Sequence, residues 1–290
     1  MRQIAMTAAG AMAANTAGSV LRLPGSGVDD VRAQVLSNER VNDTYNLLVV
    51  AAPGPASRAV AGQFFHLQCP TTDRDAPYLR RPMSTYRAEP QSGVVEFLYK
   101  VNGAGTRGLA SLEAGDYLSM LGPLGVGFAL EPDWRHIVVL GRGVGLATLA
   151  PLAEMAAARN IGVTAVISAR DQDQVLSVPR FADIGAHVEI VLDSDGSSSV
   201  DNVERLLRRC HAEGHADAFF TCGSNRLMLL MQRLGDELGI AGQVAMEQQM
   251  ACGLGMCHCC VRDFRVAGET VSRRVCWDGP VFALAEATSW

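Results

Sequence analysis

The chain has 290 residues, 48% apolar and 19% charged, with a formal net charge of −5. That length predicts two or three domains rather than one, and the acidic balance argues against a nucleic-acid partner, which a basic surface would accompany. No run of about 18 apolar residues appears, so no membrane span is expected, and with four of the eight Cys in one pattern the chain is not a disulfide framework.

Residues 1–30 are rich in Ala, Gly, Ser and Thr. They lack the charged start and strong apolar core of a secretory signal, and predict a flexible N-terminal tail. From Val31 the texture changes. Val31–Leu36, Tyr45–Val50, Gln63–Gln68, Val94–Val101 and Tyr117–Leu121 read as short strands, punctuated by Pro53-Gly-Pro55, Ala61-Gly62 and the turn-rich Gly122–Gly127. Close-spaced strands with few helical patterns predict a small antiparallel β-barrel over 31–132.

Beyond Pro132, His136–Leu140 is a continuous apolar run, as expected of a strand buried on both faces of a parallel sheet. Strands at Val163–Ser168, Val188–Leu192 and Ala218–Cys222 alternate with helices at Leu146–Arg159, Val203–Glu213 and Ser224–Leu238, the last opened by a Ser N-cap. This alternation predicts a doubly wound α/β domain over 133–244. The remainder, 245–290, holds a cysteine loop, a hairpin around Phe264–Val275 and a tail.

The cysteine loop is the most specific stretch. Cys252, Cys257, Cys260 and Cys276 give C-x4-C-x2-C…C, the spacing with which plant-type ferredoxins hold a two-iron, two-sulfide (2Fe-2S) cluster. Gly253 and Gly255 allow the left-handed turns that three converging thiolates demand. Structural zinc, which uses two C-x2-4-C knuckles, is the alternative. His258 reads as a solvent-facing loop residue and Cys259 as a neighbour to the set. Reduced thiols with such a site point to a cytoplasmic setting.

Gly141, Gly143 and Gly145 lie between a strand and a helix, where glycines let backbone approach a pyrophosphate at a helix N-terminus. Ser168-Ala-Arg170 stands as a ribose contact or a plain strand end. Arg80-Arg81-Pro82-Met83-Ser84 offers guanidinium and hydroxyl to an anionic cofactor, or is a surface basic pair. Tyr99-Lys100 with Gly105-Thr106 is a second phosphate candidate. Cys222-Gly223 lines a ring pocket at the sheet's C-terminal edge or is ordinary core.

Together these motifs resemble the ferredoxin–NAD(P)+ reductase superfamily, and within it the iron–sulfur electron-transfer subunits of dihydroorotate dehydrogenase. Gly62-Gln-Phe64, Leu121–Gly125 and Asp278–Phe282 extend the likeness over nearly the whole chain from 31 to 290. The resemblance implies FAD on the barrel, NAD(H) on the α/β domain and a 2Fe-2S cluster near the flavin. It places Arg81 and Ser84 on the flavin and Gly105 and Thr106 on its pyrophosphate. Gly143, Gly145, Cys222 and Gly223 then face the nicotinamide cofactor. Pro82, Met83, Tyr99, Lys100 and Gly141 complete the candidate cofactor-binding set.

Three departures stand out. Met83 replaces an aromatic or aliphatic residue, Ala147-Thr148 an Ala-Pro, and His258-Cys259 a Leu-Gly-like pair. The implied activity is electron relay from a nicotinamide nucleotide through flavin and cluster to a partner oxidoreductase subunit, with homo-oligomers inside a hetero-complex left open. No catalytic acid or base is required. A reductase serving another terminal enzyme (oxygenase, demethylase or hydrogenase-like) and a non-enzymatic zinc-bearing module are the competing readings.

Overall fold

The computed structural model describes residues 27–289 apart from Ser57. The tail expected over 1–30 lies outside the described residues up to position 26, and Asp29 already opens the first strand. Strands β1 (Asp29–Arg40), β2 (Tyr45–Ala51), β3 (Phe64–Leu67), β4 (Arg81–Ser84), β5 (Arg87–Glu89), β6 (Val94–Lys100) and β7 (Tyr117–Leu124) form one antiparallel sheet in the order β4-β3-β7-β1-β2-β6-β5. Short helices α1 (Pro53–Ala56) and α2 (Ala104–Ala110) fill connections.

Strands β4 and β5 lie at opposite edges of this sheet, yet only Thr85 and Tyr86 separate them in sequence. The sheet therefore curls until its edges meet, which produces the expected barrel shape. The corner is held to both edges: Thr85 N–H donates to Gln63 O at 3.0 Å and Tyr86 N–H to Glu96 O at 2.9 Å. Inward-facing Val35, Leu48, Phe65, Leu67 and Phe97 fill the interior, with the Phe65 and Phe97 rings edge to face at 5.5 Å. Strand β7 runs through Gly122-Pro123, where a turn was expected, because the Phe65 ring occupies the place of a side chain at Gly122 and only glycine fits there.

The second layer system contains β8 (His136–Arg142), α3 (Leu146–Ala157), β9 (Gly162–Ala169), α4 (Val178–Asp183), β10 (His187–Leu192), α5 (Val200–Ala212), β11 (Ala218–Cys222), α6 (Asn225–Leu238) and β12 (Ala241–Ala245). Ile137 to Leu140 are almost wholly buried because β8 lies between β9 and β11 with helices on both faces. The order β10-β9-β8-β11-β12 reverses direction between β8 and β11, so the crevice at their C-terminal ends is the natural ligand site. Ser224 caps α6 as expected, its Oγ accepting from Leu227 N–H at 3.4 Å.

Hairpin strands β13 (Val261–Val266) and β14 (Glu269–Arg274) turn at Ala267-Gly268, both at positive φ. They are followed by α7 (Val275–Asp278) and β15 (Val281–Ala283). Strand β15, read from the sequence as tail, pairs antiparallel with β12 at the sheet's edge. Phe264 and Phe282 pack at 4.2 Å, joining the hairpin to the α/β core. On the other side Arg180 clamps barrel to α/β domain. It donates to Tyr86 O at 2.7 Å, stacks on the Tyr86 ring at 4.2 Å and pairs with Glu154 at 2.6 Å. Among the described residues no helix is long and apolar enough to cross a membrane.

Candidate functional site

The cysteine loop folds as its glycines require, with Gly253 at φ +69° and Gly255 at φ +76°. These turns aim backbone N–H groups at sulfur: Leu254 N–H reaches Cys252 Sγ at 3.3 Å, Gly255 N–H reaches Cys276 Sγ at 3.2 Å, and Cys276 N–H reaches Cys260 Sγ at 3.4 Å. Burial would raise the Cys252 thiol, but the amides of Leu254, Cys257 and Met256, with the Cys257 thiol, bring it down to about 7. Cys276, deeper and facing Cys260, is pushed up by burial first and by its sulfur neighbour second.

The four sulfurs associate in twos, Cys252 with Cys257 and Cys260 with Cys276. Among the described residues no three metal-type side chains gather around one point, as a mononuclear zinc site requires. Two pairs of thiolates, each pair for one iron and all within reach of amide donors, fit a 2Fe-2S cluster. Cys259 is exposed, its thiol only 3.9 Å from Gln249 O, and His258 is exposed at φ +57°.

The loop packs against the barrel. Phe65 and Leu67 face the barrel interior, so Phe64 and His66 face outward, and register puts Ser84 opposite Phe64 and Pro82 opposite His66. His66 is fully buried beneath the loop: a side chain at Gly253 would meet its Nδ1 at 2.8 Å. Burial, then the charges of Arg80 and Arg81, lower its pKa to about 4, so the ring is neutral. Neither ring nitrogen has a hydrogen-bond partner within the protein.

Arg81 and Gly105 come together, since a side chain at Gly105 would meet Arg81 Nε at 2.7 Å. Thr106 sits beside them with its hydroxyl already engaged, donating to Gly103 O and accepting from Asn102 and Gly103 N–H. Met83 packs against the barrel core. Lys100 is exposed at the end of β6. The Tyr99 side chain is 1% exposed inside the barrel, and its hydroxyl donates to Asn38 at 2.9 Å.

At the crevice, Gly141 pairs with Cys222 in the sheet, and Gly145 meets the Cys222-Gly223 turn closely. A side chain at Gly145 would meet Cys222 O at 2.5 Å, and one at Gly143 would meet Tyr45 Oη at 2.8 Å. Ser168 is fully buried and accepts from Arg142 at 2.9 Å, while Arg142 also pairs with Asp193 at 2.5 Å. Thr148, at the start of α3, joins the domains. It donates to Ser84 Oγ at 3.0 Å and accepts from the Cys222 thiol at 3.9 Å. Burial first, then the charge of Glu247, keeps that thiol protonated. Glu247 itself reaches solvent but stands in a recess whose protein walls raise its carboxyl pKa.

Comparison with known proteins accords with this geometry. Residues 247–287 match the iron–sulfur cluster binding domain of dihydroorotate dehydrogenase B. The chain is 33% identical over 251 residues to the dihydroorotate dehydrogenase B (NAD(+)) electron transfer subunit of Desulforamulus reducens, covering 86% of this chain and 95% of that one. It belongs to that family of electron-transfer subunits. The corresponding subunit of Streptococcus pneumoniae serotype 4 is also 33% identical, over 77% of this chain and 86% of its own length. Among solved structures, a chain of the NADH-dependent reduced ferredoxin-NADP oxidoreductase superposes with a TM-score of 0.74 at 25% identity, covering 89% of this chain and 90% of that one. A ferredoxin reductase of carbazole 1,9a-dioxygenase shares the fold at a TM-score of 0.59 and 18% identity, over 74% of this chain and 68% of that one. FAD, a 2Fe-2S cluster and NAD(H) are the cofactors that go with this family and fold.

Sequence reasoning missed His66, Tyr45 and Glu247 altogether. Each stands in an ordinary strand or loop, with no spacing that marks it. Thr148 did leave a signal, as a departure from the family's Ala-Pro.

Proposed function

We propose that the chain is the electron-transfer subunit of a dihydroorotate dehydrogenase-type complex, carrying electrons between a nicotinamide nucleotide and a partner oxidoreductase subunit. Its flavin module is 31–132, its nucleotide module 133–244 and its cluster module 245–290. When bound, the flavin takes the two electrons of a hydride and the cluster carries electrons singly. The chain's own residues bring these groups together. Arg81, beside Gly105, offers its guanidinium to the flavin pyrophosphate. Thr148 donates to Ser84, which leaves the Ser84 proton free to donate into the flavin site. The N-terminus of α3, behind Gly143 and Gly145, receives the nucleotide's pyrophosphate, and Cys222 forms the wall between nicotinamide and flavin. Cys252, Cys257, Cys260 and Cys276 hold the irons.

One observation carries this reading: the outer face of β4 is shared by both neighbours. Ser84 links through Thr148 to Cys222 of the α/β domain, and Pro82 lies opposite His66 under the cysteine loop. Anaerobic titration with NADH and with NADPH, followed by electron paramagnetic resonance, tests it. A reduced two-iron signal is expected; a flavin-loaded, iron-replete sample without one, or a colourless protein carrying zinc, overturns the reading. The second reading, a reductase for another terminal enzyme, draws support from the likeness to the NADH-dependent reduced ferredoxin-NADP oxidoreductase. Co-purification with a subunit that oxidises dihydroorotate favours the first, and recovery of the chain with a different oxidoreductase favours the second.

A further inference from the structure

The described residues leave few buried polar side-chain atoms unpaired: both ring nitrogens of His66 and the hydroxyl of Thr85. The His66 backbone is not at fault, since its carbonyl accepts from Arg80 at 3.2 Å. The ring alone is orphaned. It stands edge-on to Phe64 at 6.2 Å, with Leu121 and Pro82 on the adjoining strands. Phenylalanine or leucine would fill such a site without leaving a donor and an acceptor stranded in an apolar place, a cost that a protein bears only when something else pairs with them.

What covers the ring is the cysteine loop. Nδ1 is turned towards Gly253, so closely that any side chain there would collide with the ring, and Gly253 adjoins Cys252. Within the loop, backbone N–H groups of Leu254, Gly255 and Cys276 already donate to sulfur. The barrel side chain that Gly253 meets is His66, a potential donor.

We propose that His66 is a positioning and tuning residue for the iron–sulfur cluster, its ring N–H donating to a sulfur of the cluster or of its Cys252 ligand. The donor comes from the strand paired with β4, so the residue that tunes the cluster is fixed to the same framework as the flavin site. Hydrogen bonds to cluster sulfur favour the more negative, reduced form and so raise its reduction potential. The glycine at 253 is then required twice, once by its left-handed φ and once to let the ring approach.

This inference rests on the four-cysteine reading of the loop, and its test separates the two. In the full chain loaded with flavin and cluster, His66→Phe removes the donor and keeps the shape, while His66→Asn keeps an N–H near the position of Nδ1. Redox titration monitored by electron paramagnetic resonance should place the cluster midpoint of H66F below that of wild type, with H66N close to wild type. Thermal unfolding of the cofactor-free chain should show H66F at least as stable as wild type, because the orphaned nitrogens are gone; the loaded protein should show the reverse.

A wild-type two-iron signal that H66F leaves at the same midpoint overturns the role of His66 but not the cluster. A flavin midpoint that moves while the cluster's stays fixed assigns the donor to the flavin and overturns the proposal as stated. H66F protein that folds without cofactors yet fails to load the cluster supports the proposal. Equal destabilisation of cofactor-free and loaded H66F means packing alone and overturns it. A wild-type protein with no two-iron signal overturns the four-cysteine reading itself.

Discussion

Two sulfur-bearing turns flank the outer face of β4, and they are built in opposite senses. At the end of β11, Cys222 is buried, its thiol donates to the Thr148 hydroxyl, and burial with the charge of Glu247 keeps the sulfur a thiol. In the cysteine loop, amides of Leu254, Met256 and Cys257 converge on Cys252 and draw it towards thiolate near pH 7. The difference lies in the backbone. Left-handed turns occur in both, at Gly253 and Gly255 and at Gly223, but in the loop they rotate N–H groups onto sulfur, whereas Cys222 is paired on both sides in the parallel sheet. The same residue type is made a metal ligand in one place and an apolar wall in the other.

The largest expected effect breaks that contrast directly. Cys252→Ser or Cys276→Ser should abolish the two-iron resonance and delivery of single electrons, because each leaves one iron with a single thiolate. Cys222→Ser should keep the resonance and slow only reduction of the flavin by the nicotinamide nucleotide, by about tenfold, or about 1.4 kcal/mol. Loss of the resonance in C222S would mean that the two turns are not separate in function.

Alkylation of the cofactor-free protein sharpens the comparison further. Thiolate is the reactive form, and a pKa two units below the ordinary value makes it about a hundredfold more abundant well below both. Cys252, lowered to about 7, should react with iodoacetamide with a midpoint near neutrality, whereas Cys69, which burial pushes up to about 11, and Cys222 should stay unmodified up to pH 9. Peptide mapping by mass spectrometry across pH reads this out. Equal labelling of Cys252 and Cys222 at pH 7 would sink the electrostatic account.

Much of this was legible in the sequence because it is local. The C-x4-C-x2-C spacing, the glycine turn after the apolar run of β8 and the Ser N-cap of α6 are each written within a dozen residues, and the structure places them as the pattern suggests. What failed to show was long-range. His66 is one alternating position in a four-residue strand, and its covering partner Gly253 lies in another module. Strand β15 is three residues long after Gly279-Pro280, too short for a period, and exists only because β12 offers it an open edge. Tyr99 adjoins the Gly103–Thr106 segment in sequence, and the inward turn of its ring to Asn38 is likewise set by a strand partner far along the chain.

Thr148 tests the link between the two turns at smaller amplitude. Replacing it by Val preserves shape and removes the hydroxyl that donates to Ser84 and accepts from Cys222. One such hydrogen bond is worth about 1 kcal/mol, so flavin reduction should slow by roughly fivefold, with Thr148→Ser restoring most of the rate. A merely structural role would lower thermal stability in T148V and leave the rate of a fully folded sample unchanged.

Cys259 gives the smallest effect and the most discriminating control. It sits next to the ligand Cys260, and by adjacency alone it competes for the iron. Yet its side chain is exposed, and its thiol makes only a weak 3.9 Å approach to Gln249 O. Cys260, by contrast, is buried and its sulfur accepts from Cys276 N–H, which holds it beside Cys276. Cys259→Ser should therefore leave the resonance, the cluster midpoint and the iron content at wild-type values, and loss of iron on that substitution would reassign the fourth ligand.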